Sequence, residues 1–188
     1  MPHKGPHISI PSTDLLERVL GLSQEAFAAW PEDVRNLGLR LCEELFLVRY
    51  NPFIDPKVVY ASVQTVFVQA RPSLSRDYVS VLENAIRSFW QDYEADQSFR
   101  KDLIKRLSAF LPNDCIDTSP SSLLSCSTDA TDLRMTLPMM VVSPRTTEQI
   151  QAVVKLANTM DFSIVPRGGG SGLTGGAIPS DNRTVILS

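Results

Sequence analysis

The sequence predicts an α+β protein in which a helical domain is followed by a strand–helix–strand unit. Apolar residues recur at helical spacing through residues 14–111, and residues 112–136 are rich in Pro, Ser, Asp and Thr. Residues 137–188 then alternate short apolar runs with one amphipathic segment. We therefore expect a flexible tail over residues 1–13, a helical domain over 14–111, a linker or lead-in over 112–136 and an α/β portion over 137–188.

The helical domain is predicted from its periodic apolar positions and from the prolines that interrupt them. Asn51-Pro52 and Asp55-Pro56 break the pattern, because proline does not continue a helix. The stretch Val58–Val68 is rich in β-branched residues, which favour a strand, but its surroundings favour a helix, and we predict a helix there. Ser75 or Asp77 can begin the next helix. The periodic positions are Val34, Leu37, Leu41, Leu45 and Val48 before the breaks, and Tyr78, Leu82, Ala85, Phe89 and Tyr93 after them.

The C-terminal third has the pattern of a βαβ unit. Met139–Val142 and Phe162–Pro166 are short apolar runs of the kind that form buried strands, and Thr184–Leu187 is a third. Between the first two, Thr146 can cap a helix, with Gln149 completing a capping box. We expect the first two strands to be parallel and joined by a right-handed crossover.

Composition limits the classes of function. The 188 residues carry a formal net charge of −3, with 43% hydrophobic and 21% charged residues. These values are ordinary for a soluble globular protein, and the negative charge argues against a general nucleic-acid binder. No apolar run approaches the roughly 20 residues that a membrane span needs. We expect a cytoplasmic protein, with peripheral attachment to a membrane as an open alternative.

Cysteine and histidine are too few for most metal or nucleophilic chemistry. Cys42, Cys115 and Cys126 form no Cys-x-x-Cys pair, so this chain alone cannot build a zinc ribbon or an iron–sulfur cluster. His3 and His7 both lie in the predicted tail. We therefore expect free buried thiols and no metal site, and we exclude a catalytic histidine in residues 8–188.

The most informative feature is a glycine-rich loop that follows the second apolar run. Six of the nine glycines in the chain lie within residues 168–176. Glycines without Cβ atoms reach positive φ and allow successive N–H groups to converge on an anion, which suits a backbone that passes close to a phosphate. The candidate cofactor-binding residues are Pro166, Arg167, Gly168, Gly169, Gly170, Ser171, Gly172, Leu173, Thr174, Gly175 and Gly176.

Two well-known phosphate loops do not fit this stretch. Gly170–Gly175 matches G-x-G-x-x-G, but a Rossmann fold needs a helix to open there, and Ala177–Asn182 indicates a turn before the next strand. A P-loop is excluded because no Gly-Lys-Ser/Thr follows. An anion-binding loop between two strands remains, with a merely flexible glycine hinge as the alternative.

Two stretches carry a family resemblance. Val142–Ile150 and Val165–Ala177 together resemble the PCMH-type FAD-binding domain of the vanillyl-alcohol oxidase and p-cresol methylhydroxylase flavoproteins. Within that superfamily they are most similar to D-lactate dehydrogenases and the FAD subunits of glycolate oxidase. Ser127–Arg134 resembles the segment that commonly precedes the first strand in this family. Leu47–Phe53 resembles the N-terminal extension of large bacterial members that also carry iron–sulfur domains.

The resemblance implies a cofactor and roles for residues. Backbone N–H groups around residues 167–173 would wrap the pyrophosphate of FAD, while Pro166 and Pro144 would fix the ends of their strands. Relatives with covalent flavin often have a histidine where Ser171 stands, so FAD is expected to bind without a covalent link. The family's catalytic groups and any iron–sulfur cysteines would lie beyond Ser188, so no catalytic residue is assigned in this chain. The predicted fold is a helical domain followed by the first βαβ portion of a PCMH-type FAD-binding domain.

These expectations lead to one main function and two alternatives. The main one is the FAD-binding portion of an FAD-linked oxidoreductase that oxidises a small 2-hydroxy acid and passes electrons to a quinone or an iron–sulfur acceptor. By itself the chain is expected to be inactive. The alternatives are a helical protein-interaction module with a vestigial nucleotide-binding tail, and a flavin reductase of cell-wall precursor synthesis, which uses a related loop.

Overall fold

The computed structural model describes residues 16–130 and 136–188. The predicted tail and residues 131–135 of the lead-in lie outside the described residues. The helices are α1 (Gln24–Ala28), α2 (Glu32–Tyr50), α3 (Pro56–Ala70), α4 (Arg76–Leu107), α5 (Pro120–Ser125) and α6 (Thr147–Met160). The strands are β1 (Ile116–Asp117), β2 (Met140–Val142), β3 (Ser163–Pro166) and β4 (Thr184–Leu187). Short π- and 3₁₀-helical turns occupy Leu16–Leu20, Arg71–Ser73 and Asn113–Cys115. The predicted α+β class is confirmed.

The described residues fall into two compact units. The first comprises residues 16–48 and 54–91, and the second comprises residues 49–53 together with the described residues from 92 onward. Helix α4 therefore contributes its first half to one unit and its second half to the other. This division does not follow the bounds predicted from composition, and those domain bounds stay a prediction.

Helix α3 in the first unit resolves the ambiguous stretch Val58–Val68 in favour of a helix. Asp55 caps it by accepting a hydrogen bond from the Lys57 N–H at 2.9 Å, and Pro56 occupies the first turn, where its missing N–H costs nothing. The β-branched residues fall on the inner face at helical spacing, because Val59, Val63 and Val66 are buried together with Phe67. Burial of one helical face outweighs the modest intrinsic preference of valine for strands.

The second unit contains one four-stranded sheet in the order β1-β2-β4-β3. Strands β2 and β3 both run parallel to β4, with Met140 opposite Val185 and Ser163 opposite Thr184. They are therefore parallel to each other, as predicted, but β4 lies between them. The core beneath the sheet is formed by buried apolar residues of α4, β2, α6 and β4, including Leu103, Leu107, Met140, Val142, Val153 and Val185.

The described part of the segment predicted as a linker contains a short strand and a short helix, besides the 3₁₀ turn at Asn113–Cys115. Strand β1 pairs antiparallel with β2, placing Ile116 opposite Val142. Helix α5 begins after Ser119, whose hydroxyl accepts a hydrogen bond from the Ser122 N–H, and Pro120 occupies its first turn. The Ser- and Pro-rich composition that indicated a linker thus includes a helix start of ordinary chemistry.

The predicted cap of α6 is present. The Thr146 hydroxyl accepts a hydrogen bond from the Gln149 N–H at 3.3 Å. The Gln149 side chain accepts from the backbone N–H of Arg145 at 2.7 Å, one residue earlier than an ordinary capping box would use. This cap fixes the point at which the chain leaves β2 and enters the helix.

Candidate functional site

The glycine-rich loop begins at the carboxyl edge of the parallel strands. Strands β2, β3 and β4 end in register, since Pro166 lies opposite Leu187 and Val142 lies opposite Leu187 on its other side. The backbone N–H of Arg167 donates to the carbonyl of Leu187 at 2.8 Å, which extends the ladder by one step. From there residues 168–183 return to the start of β4 without a helix. In open α/β sheets, ligands bind outside this edge.

Five of the six glycines of the loop divide into two groups. Gly170 and Gly175 have φ values of 65° and 71°, a region that L-residues with side chains seldom adopt. Gly168, Gly169 and Gly172 do not have positive φ, and a Cβ placed on any of them would meet nothing within 4 Å. The fold itself therefore does not require glycine at these three positions. Close approach of a ligand to the backbone is one physical reason for glycine there, and the flexible hinge is the other.

The backbone of the loop offers hydrogen-bond donors. Among the described residues, no N–H from Gly168 to Gly176 donates to a protein acceptor. Most of these residues are exposed, and the Leu173 side chain is 76% exposed. Residues 168–176 include no acidic side chain, so none of them repels an anion. The arrangement presents a run of exposed donors without protein acceptors, as a phosphate-binding backbone requires.

Arg167 contacts the loop itself. Its Nη1 donates to the carbonyl of Ala177 at 2.8 Å, and its Nη2 donates to the carbonyl of Ser125 at 3.1 Å. The guanidinium also lies against Gly170, where Nη2 would be 2.2 Å from an added Cβ. The side chain thus joins the start of the loop to Ala177, which follows the last glycine, and to the last residue of α5.

The far end of the loop is held by a carboxylate. Asp181 Oδ2 accepts hydrogen bonds from the hydroxyls of Ser163 at 2.7 Å and Ser180 at 3.1 Å. Its Oδ1 accepts from the Arg183 N–H at 2.8 Å and from the buried hydroxyl of Thr184 at 3.2 Å. Partial burial acts to raise the pKa of Asp181, but these hydrogen bonds together outweigh it, and the net pKa is lowered.

A replacement of Asp181 by asparagine tests this anchor. We expect D181N to lower the free energy of unfolding by about 1 kcal/mol at pH 7, because an amide cannot accept the same four hydrogen bonds. The loss stays this small because solvent screens the charge of a partly exposed carboxylate. A lowered native pKa gives stability that is present above the unfolded value of about 3.9 and is lost as pH falls through the native pKa. Denaturation at pH 7 and pH 3 should therefore give a larger difference from the wild type at pH 7.

The control for D181N is Asp92→Asn, at an exposed aspartate of α4. We expect this control to change stability little at either pH. An equal loss for D181N at both pH values would show that the carboxylate charge is not what holds the end of the loop.

Residues from α4 reach the same end of the loop. Arg183 Nε donates to Asp96 Oδ1 at 3.2 Å, and the guanidinium of Arg183 stands 4.6 Å from the centre of the Phe99 ring. Arg49 donates to the other oxygen of Asp96 at 3.5 Å. The loop is consequently anchored to the sheet at its start and to helical residues at its end.

The structure brings the predicted binding residues into one loop, although their contact with a cofactor stays a prediction. The backbone carbonyls of Ser125 and Ala177 and the carboxylate of Asp181 were not predicted to act with them. Backbone carbonyls carry no sequence signal, whereas Asp181, which precedes Asn182 and a strand, has the signature of a turn-forming aspartate. Arg167 was predicted beside the loop, and its two carbonyl partners were not.

Three neighbouring parallel strands with a glycine loop outside the carboxyl end of one of them are an arrangement typical of nucleotide-binding α/β proteins. Residues 138–188 match the family model described as the FAD binding domain. The resemblance predicted from the glycine loop is confirmed over these residues. The residues of the match include β2, α6, β3, the glycine loop and β4.

Curated relatives agree with this assignment. The glycolate oxidase subunit GlcD of Bacillus subtilis (strain 168) is 32% identical over 87 residues, which covers 46% of this chain and 18% of that protein. A D-2-hydroxyglutarate dehydrogenase of Xanthomonas citri pv. viticola is 34% identical over 71 residues, covering 38% and 15%. A D-lactate dehydrogenase of Archaeoglobus fulgidus is 41% identical over 46 residues, covering 24% and 10%. The chain thus spans less than a fifth of the length of these relatives.

A solved structure of p-cresol methylhydroxylase with substrate bound is also similar, with 24% identity and a TM-score of 0.43 over 48% of this chain and 18% of that one. Within the described residues, no helix has the length and apolar content needed to cross a membrane.

Proposed function

We propose that this chain is the FAD-binding portion of an FAD-linked oxidoreductase, and that the backbone amides of residues 168–176 bind the diphosphate of FAD. The observation that carries the proposal is the group of three glycines, Gly168, Gly169 and Gly172, which their own fold does not require. They lie in an exposed run of N–H groups without protein acceptors among the described residues. The match of residues 138–188 to the FAD binding domain supports the choice of FAD over other diphosphates.

The residues of this chain would bind and orient the cofactor. Backbone N–H groups favour an anion without requiring a mobile cation, and they are held by β3 at one end and Asp181 at the other. Bound FAD would supply the acceptor for a hydride from a substrate. The hydroxyl of Ser171 stands in the loop where covalent relatives are expected to have histidine, so we propose non-covalent binding.

The proposed substrate is a small 2-hydroxy acid of the glycolate or D-lactate type. This proposal rests on the relatives, whose names specify glycolate, D-lactate and D-2-hydroxyglutarate. A quinone or an iron–sulfur centre is the proposed electron acceptor, and a cytoplasmic location, with or without peripheral membrane attachment, remains part of the same proposal. We assign no catalytic residue in this chain. The helical interaction module and the cell-wall flavin reductase stay as alternatives that no observation here favours.

Calorimetric titration of the 188-residue chain tests the proposal. We expect FAD and ADP to bind weakly, with Kd values of about 10 μM to 1 mM, because both present a diphosphate to the loop. Riboflavin, which lacks phosphate, should not bind detectably. We also expect no turnover of D-lactate by this chain.

Riboflavin serves as the matched control because it carries the same ring system as FAD. Equal binding of riboflavin and FAD would contradict a diphosphate site, and no binding of FAD at about 1 mM would contradict the proposed function.

A further inference from the structure

We propose that Arg167 is the positioning residue of the glycine loop, and that it acts through the two-pronged shape of its guanidinium rather than through its charge. This inference rests on the proposed binding of FAD, although its structural part can be tested without the cofactor. It also extends the site to the end of α5, which lies outside the residues matched by the FAD binding domain.

Arg167 is fixed at both its backbone and its side chain. Its N–H continues the ladder of β3 by donating to Leu187, so the Cα cannot shift without breaking the sheet. Its two terminal nitrogens then donate to two carbonyls that lie 10 and 42 positions away in the sequence, those of Ala177 and Ser125. A single side chain thus fixes the positions of Ala177 and Ser125 relative to the start of the loop.

The loop backbone packs closely against this guanidinium at Gly170. Gly170 adopts a φ of 65° and lies so near that a Cβ there would fall 2.6 Å from Cζ of Arg167. Because Gly170 has no side chain, the backbone of the amide run at residues 168–176 can pass directly over the guanidinium. The position of Arg167 and the path of the amide run depend on each other.

Charge alone would not produce this arrangement. The two carbonyls need two donors at a fixed separation, which a planar guanidinium presents and a lysine ammonium, with a single nitrogen, does not. Each terminal nitrogen donates one N–H to a backbone carbonyl. The geometry thus assigns Arg167 to holding the loop, and we assign the contact with the diphosphate to the amides.

The contact with Ser125 carries a second consequence. Because Nη2 of Arg167 donates to the last residue of α5, the segment before the FAD-binding match helps to fix the loop. The tie is made to a backbone carbonyl, so it depends on where α5 ends and not on the identity of its side chains. Helix α5 is therefore part of the support of the proposed cofactor site.

The experiment compares R167K, which keeps the charge, with R167Q, which removes it. The control is Arg76→Lys at the exposed first residue of α4. Heteronuclear ¹⁵N NOE values of the amides of residues 168–176 are measured without FAD, and the Kd for FAD is measured by titration. Thermal unfolding of every variant checks that it remains folded.

We expect R167K and R167Q to lower the NOE values of the loop amides alike, and to raise the Kd for FAD about tenfold each. The control should match the wild type in both measurements. Wild-type NOE values and wild-type affinity in R167K, with losses only in R167Q, would overturn the inference and assign the role to charge. If the wild type itself does not bind FAD, the proposed function fails, while the NOE values still decide whether Arg167 positions the loop.

Discussion

Replacement of Gly170 by alanine is expected to weaken FAD binding at least about tenfold, which corresponds to about 1.4 kcal/mol. Two costs combine at this position. An alanine at a φ of 65° is strained by about 1–2 kcal/mol. Its Cβ would also lie 2.2 Å from Nη2 of Arg167, so the guanidinium must leave its place and give up its bonds to Ala177 and Ser125.

Titration with FAD and thermal unfolding together measure this effect. Gly168→Ala is the matched control for stability, because Gly168 has no positive φ and no atom within 4 Å of an added Cβ. We expect G168A to unfold like the wild type, and G170A to unfold at a lower temperature. Equal stability and equal FAD affinity of G170A and the wild type would contradict the close packing of Arg167 against the loop.

Replacement of Gly38 by alanine is expected to destabilise the first unit by about 1–2 kcal/mol, although alanine is the better helix former. Gly38 is buried in α2, and an added Cβ would lie 2.6 Å from Cε2 of Phe27. The Phe27 ring is itself buried and stands 5.2 Å from the ring of Trp30, so it has little room to move. Overpacking costs about 1–3 kcal/mol, and a Cβ 2.6 Å from a buried ring places this site in the upper part of that range. The cost therefore exceeds the gain of about 1 kcal/mol from replacing a helical glycine.

Chemical denaturation measures this loss, and two further variants isolate its cause. Asn36→Ala, at an exposed position of the same helix, should be neutral or slightly stabilising. The double variant F27L/G38A should lose less free energy of unfolding than the sum of the losses of the two single variants, because the smaller side chain removes the clash. Strict additivity of the two changes would place the cause elsewhere.

Local chemistry made much of the fold predictable from the sequence. The breaks at Asn51-Pro52 and Asp55-Pro56, the cap at Thr146 and the strand at Thr184–Leu187 all depend on residues close together in the chain. The helical interpretation of Val58–Val68 was also correct, since its valines recur at helical spacing. Periodic apolar burial and capping operate over a few residues, and a sequence displays both directly.

Long-range pairing was not predictable in the same way. A two-residue strand such as Ile116–Asp117 has no periodicity, and the pairing that makes it a strand is with Val141 and Val142. The place of β4 between β2 and β3 follows from the packing of the whole sheet. Helix α5 was not predicted, because the Pro- and Ser-rich composition of its segment is also typical of linkers.

The candidate site was predictable in its location and less so in its construction. The density of glycine identified the loop, because glycine is common where a backbone needs positive φ or passes close to a ligand. The supports of the loop are carbonyls of Ala177 and Ser125 and a carboxylate at Asp181, and partners of this kind are chosen by tertiary structure. The same loop sequence could therefore be recognised without knowing what holds it in place.

Amide chemical shifts of the ¹⁵N-labelled 188-residue chain, followed during a titration with FAD, test the central claim most directly. We predict that the largest changes fall on the N–H groups of Gly168 to Leu173, and that ADP reproduces them while riboflavin does not. Saturation by FAD with these amides unmoved, and the largest changes elsewhere in the chain, would contradict the claim that this loop binds the diphosphate.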